Sequence, residues 1–116
     1  MSDLRHWLML VETRLTIYRG EYSGNRGGNF YSPDRAFARQ FTQSGLDREV
    51  KVRHIDSTAI FRPPQPVYAG DPDAVEAIIV VARRAGFKAV WLAEQKGDQT
   101  PREPDSIYVF DRSALI

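Results

Sequence analysis

The chain has no cysteine, and only two of its 116 residues are histidine, His6 and His54. The missing cysteine excludes disulfides, thiolate metal sites and a cysteine nucleophile, and two histidines are too few for a histidine-rich metal centre. No window approaches the roughly 18 apolar residues that cross a bilayer. Near the N-terminus, "WLMLV" is five residues long and follows Asp3, which is no signal peptide. A dominant charge is missing too: 16 basic residues stand against 15 acidic ones, so no overall field recruits nucleic acid or an anionic membrane. The expectation is a soluble, cytoplasmic protein without a bound metal. With 42% hydrophobic and 27% charged residues, the composition is that of an ordinary globule, and residues 1–116 read as a single domain. The basic set is 13 Arg to 3 Lys. Arginine's planar fork suits phosphate and carboxylate, although a GC-rich genome would produce the same skew.

Periodicity supplies the elements. "SDLRHWLMLVETR" places Leu4, Trp7, Leu8 and Val11 at helical spacing behind Ser2. "LTIYR", Leu15 to Arg19, reads as the first strand, and a loop from Gly20 to Asn29 follows. "NFYS" reads as a short strand or as the approach to a helix capped by Ser32, with Pro33 in its first position and Gly45 as its stop. "REVKVRHID" alternates Val50, Val52 and His54 against Lys51 and Arg53, the period of a strand with one wet face. "FRPPQPVYAGDPD" is a proline-rich connection with Val67 and Tyr68 as anchors. "DAVEAIIVVARRAG" reads as a helix starting near Asp71 or Asp73, capped by Gly86, and apolar enough all round to be well buried. "FKAVWLAEQ" and "SIYVFD" read as strands on either side of a polar loop. The fold class is therefore α+β, a single domain with a mixed and antiparallel sheet and flanking helices in one pair of layers.

One conjunction is not explained by packing: a strand ending in Arg19, then a loop rich in glycine, then the aromatic pair Phe30 and Tyr31 before a helix. Four stretches in order resemble the ADP-ribosyltransferase fold, a split β-sheet shared by bacterial toxins and phage-borne transferases. "YRGE", Tyr18 to Glu21, looks like the family's first-strand motif. "FYSPDRAFA", Phe30 to Ala38, is similar to its second strand and following helix. "GFKAV", Gly86 to Val90, and "YVFDRSALI", Tyr108 to Ile116, resemble its later strands. The resemblance covers most of the chain from Leu15 onward. It implies NAD as substrate and a cleft built by Tyr18, Arg19, Gly20, Tyr31 and Ser32. Arg19 would meet the ribose or phosphate, and Tyr31 would stack on the nicotinamide ring. It further implies mono-ADP-ribosyl transfer to a macromolecular acceptor, a protein or a nucleic acid. Size and a start at Met1 suit a stand-alone modifying factor.

The sequence also departs from the family. Where a glutamate of the last core strand would supply negative charge to the oxocarbenium-like transition state, it has Ser106. Asp105 and Glu103 lie just upstream. Since a one-residue shift reverses which face a side chain takes, Asp105 substitutes only through a bulge or loop. Three outcomes stay open. Asp105 or Glu103 is catalytic with Arg19, or Glu21 or Glu94 supplies the charge from another element, or the domain is a non-catalytic module that holds a partner or nucleotide. The other constellations carry less. His54, on the apolar side of its strand, reads as a packed histidine; "GNRGG" lacks the ending of a phosphate-binding loop; and no serine elbow supports a triad.

Overall fold

The computed structural model describes residues 14–21, 29–40, 42, 50–94, 96–97, 100–101 and 104–116. The helix expected from Ser2 and most of the glycine loop lie outside the described residues, as do Phe41 and the expected helix stop at Gly45.

The first strand, β1 (Arg14–Gly20), pairs antiparallel with β3 (Val50–Asp56), Leu15 opposite Ile55 and Arg19 opposite Lys51. A second, four-stranded sheet runs β2 (Phe30–Tyr31), β8 (Ser106–Val109), β5 (Ala89–Leu92), β4 (Ile60–Phe61). Only β4 and β5 are parallel there; the other pairs are antiparallel. The two sheets are joined where Tyr18 and Ser32 exchange backbone hydrogen bonds of 2.7 and 2.8 Å, and the C-terminal segment meets β3 at an Ile55–Leu115 bridge. Between β5 and β8, the polar segment forms a small hairpin of β6 (Lys96–Gly97) and β7 (Thr100–Pro101). Together these elements make an α+β domain with mixed and antiparallel sheets and, among the described residues, two α-helices.

Alternation along β5 and β8 decides where the core sits. Ala89, Ile107 and Val109 face β1 and β3 and close a buried cluster with Ile17, Tyr31, Ile55 and Ile60. Val90 and Leu92 face the other way and pack under α2 (Pro72–Arg84) with Val75, Ile78 and Ile79. Both faces of the central strands are thus covered, one by the β1–β3 pair and one by a helix. That makes a third layer where the sequence suggested two.

Several local expectations are corrected by the structure. The cap of α1 (Arg35–Arg39) is Asp34, whose carboxylate accepts from the N–H groups of Ala36 and Phe37 at 2.9 and 3.3 Å. Ser32 belongs to the sheet edge instead, and its hydroxyl accepts from the Asp34 N–H at 3.0 Å. Asp71 caps α2, and Gly86, at φ 91°, follows its end, as the pattern suggested. That helix is not buried all round: Val80 and Val81 are 41% and 51% exposed. On β3, Ile55 is the buried residue of the Lys51–Arg53 face, while Val52 on the supposed dry face is 44% exposed. Val50 at the start of the strand is buried as well, and Lys51 to Arg53 between the two buried positions are exposed, so neither face is uniformly wet. No described helix is long and apolar enough to cross a membrane.

Candidate functional site

A cavity of about 380 Å³ opens where the two sheets meet. Its first wall is the end of β1, with Tyr18, Arg19 and Gly20. Opposite stand Tyr68, Ala69 and Gly70, the last turn before α2, held by hydrogen bonds from the Ala69 N–H to the Ala93 carbonyl and from the Ala93 N–H to the Val67 carbonyl at 2.7 and 2.8 Å. Tyr31, Ser32 and Ser106 form the buried floor, Phe30, Phe37 and Ala38 a further side, and Glu94 stands just beyond the end of β5. The volume lies in the range of small-ligand sites.

All five residues expected to bind the dinucleotide therefore line one cavity, although they come from two strands and a bridge. Arg19 is held in place: its Nη1 donates to the Phe30 carbonyl at 3.1 Å, and its Nε lies 3.8 Å from the Glu21 carboxylate. Tyr31 is only 4% exposed, its side chain being part of the cluster with Ile17 and Ile107. The half-buried aromatic rings among the described cavity-lining residues are those of Tyr18, Phe37 and Tyr68.

The expected catalytic residues separate. Glu103 lies outside the described residues. Asp105 is exposed and is not among the cavity-lining residues. Its N–H donates to the Leu92 carbonyl at 3.0 Å, extending the β5–β8 pairing, and its carboxylate accepts from the Glu94 N–H at 2.9 Å. Its carbonyl accepts from the Ser32 hydroxyl at 3.3 Å. Asp105 is thus tied to the backbone of Glu94, and among the described residues Glu94 is the carboxylate that lines the cavity. Ser106 is fully enclosed, its hydroxyl donating to the Tyr31 carbonyl at 3.3 Å.

Tyr68 has a particular support. A side chain at Gly70 would put its Cβ 2.5 Å from the Tyr68 ring, so the ring can lie over this turn only because residue 70 is glycine. The sequence marked Tyr68 as an anchor but gave no sign that it lines the same cavity as Tyr18. No cluster of metal-binding side chains occurs among the described residues. His54 is half-buried, with Nδ1 3.2 Å from the Thr16 hydroxyl, on the β1–β3 pair and not among the cavity-lining residues.

No protein-family model matches the chain, and neither the curated proteins nor the solved structures contain a match.

Proposed function

We propose that this cavity binds NAD and that the protein is a mono-ADP-ribosyltransferase acting on a protein or nucleic-acid acceptor, with Glu94 as the carboxylate of the reaction. One observation carries the reading: separate segments bring a guanidinium, a carboxylate and five aromatic side chains to a single cavity at the end of β1. The division of the sheet at the Tyr18–Ser32 bridge supports an ADP-ribosyltransferase-like arrangement. In the reaction, the bond from the ribose C1′ to the nicotinamide nitrogen breaks and its electron pair leaves with neutral nicotinamide. The Glu94 carboxylate offsets the positive charge that develops on the ribose. The acceptor's nucleophile then bonds to C1′ and gives up its proton. Asp105 acts one step back, fixing the Glu94 backbone. The cytoplasm, where NAD is abundant, is the setting this reading requires.

Titration with NAD, followed by assay of released nicotinamide with a candidate acceptor present, tests it. Binding with release is expected, and Glu94→Gln should lower release by about 10²-fold or more. Asp105→Asn keeps an acceptor for the Glu94 N–H and should retain most of the activity. Failure of NAD to bind would overturn the reading. A second reading, a binding module without catalysis, draws on Ser106: a hydroxyl committed to the Tyr31 carbonyl stands where the resemblance would place a glutamate. NAD binding without release from any acceptor would favour it.

A further inference from the structure

The charges around the cavity do not suit an anion. Among the described residues, two charged side chains line it, Arg19 and Glu94. The Arg19 side chain is 10% exposed, and the Glu21 carboxylate beside its Nε is itself only 18% exposed, so the two charges largely offset each other. Glu94 is half-buried, and its side chain has no partner among the described residues. Among the described residues that line the cavity, the charge without an opposite charge beside it is the Glu94 carboxylate. A pyrophosphate placed inside the cavity would sit beside the Glu94 carboxylate.

The uncharged lining favours the opposite sign as well. Tyr18 and Tyr68 bring half-buried rings, and Phe30 and Phe37 add aromatic surface. Ring faces carry negative potential and attract cations, most strongly where water is excluded. Tyr18 already attracts one: the Arg35 guanidinium carbon lies 5.6 Å from its ring centroid. Arg35 is exposed, so water and salt screen its own charge from the cavity. A carboxylate beside aromatic walls is the chemistry that holds an organic cation. A fully substituted nitrogen suits it best, because such a group spreads its charge over apolar surface and needs no hydrogen-bond acceptors.

We infer that the cavity recognises a permanently charged organic nitrogen, the pyridinium of an N-ribosylated nicotinamide or a quaternary ammonium group, with Glu94 as counter-ion and Tyr18 and Tyr68 as ring walls. The inference rests on the reading above that this cavity is the binding site, and it decides which end of NAD enters. The cationic nicotinamide end lies inside, and the pyrophosphate stays at the Arg19 rim. Reduced NAD, whose ring is neutral, is discriminated against.

Calorimetric titration at fixed ionic strength with 1-methylnicotinamide, nicotinamide, choline and sodium pyrophosphate separates the possibilities. The 1-methyl cation should bind about tenfold or more tightly than neutral nicotinamide. Pyrophosphate should be the weakest ligand. Glu94→Gln should erase the preference for the cation while leaving nicotinamide affinity nearly unchanged, and Tyr68→Ala should weaken both cationic ligands. Choline binding more tightly than 1-methylnicotinamide would assign the site to quaternary ammonium groups; the reverse order would assign it to ribosylpyridinium. Equal affinity for 1-methylnicotinamide and nicotinamide, pyrophosphate as the tightest ligand, or no binding of either cation would overturn the inference. The two readings fail separately. NAD binding with no preference for the cation removes this inference and spares the dinucleotide, whereas cation binding without NAD binding removes the transferase and spares the cation site.

Discussion

Replacing Gly70 by alanine tests the seat of Tyr68 without requiring any ligand. The added Cβ would lie 2.5 Å from the Tyr68 Cζ and 2.6 Å from its Cε2 and hydroxyl oxygen. Carbon atoms rest comfortably at about 3.5–4.0 Å, so the ring must retreat by roughly 1 Å. The backbone itself does not object, since Gly70 is not in the left-handed region that Gly86 occupies. Alanine there restricts the unfolded chain and stabilises by about 0.4–1 kcal/mol. Pushing the ring off its rotamer costs about 0.5–1.5 kcal/mol. In the native background the two nearly cancel, and Gly70→Ala should change stability by less than about 1 kcal/mol. In a Tyr68→Ala background the cost vanishes, and the same substitution should stabilise by about 0.4–1 kcal/mol. The double-mutant coupling is therefore about 0.5–1.5 kcal/mol, read from urea unfolding of four proteins with a common m-value. An identical shift in both backgrounds would refute the idea that Gly70 seats the ring.

Other expectations follow from particular contacts. Leu92→Ala, at a fully buried site under α2, should cost about 2–5 kcal/mol in chemical denaturation, whereas Val81→Ser on the exposed side of the same helix should stay within about 0.5 kcal/mol. Asp71→Ala removes the acceptor for the Ala74 N–H, 3.2 Å away, and should destabilise by about 1 kcal/mol, most of it recovered in Asp71→Ser. The Asp111 carboxyl is held below the ordinary aspartate value, first by its hydrogen bonds from the Ser113 side chain and backbone, then by Lys88 and Arg83. A lowered folded-state value means that this contribution is present at neutral pH and is lost as the pH falls through that value. NMR titration should show the Asp111 midpoint rising toward the ordinary value in Ser113→Ala, and an unchanged midpoint would contradict the assignment.

Local chemistry made some of the structure legible. Strand β1 and helix α2 followed from short-range pattern, and Asp71 and Gly86 marked the ends of that helix in text that admits few alternatives. The grouping of Tyr18, Arg19, Gly20, Tyr31 and Ser32 came from the resemblance of "YRGE" and "FYSPDRAFA" to the ADP-ribosyltransferase motifs, and all five line one cavity. The role of Asp105 was not. Its carboxylate is spent on the Glu94 N–H, a contact that exists only because β5 and β8 pair with Leu92 opposite Ser106. Nor could periodicity show that Val52 faces water and Ile55 the core, since which residues of β3 are covered is decided by strands far away in sequence.

The sequence alone determined the α+β class, the caps of α2 at Asp71 and Gly86 and the lack of thiolate chemistry, which depend on composition and on neighbours a few positions apart. The tertiary structure alone decided that Glu94 lines the cavity, that Tyr68 lines it together with the end of β1 and that Glu21 lies beside Arg19. The cavity's chemistry depends on side chains brought together by pairings such as Tyr18 with Ser32 and Tyr68 with Ala93, and no local pattern encodes contacts across such separations.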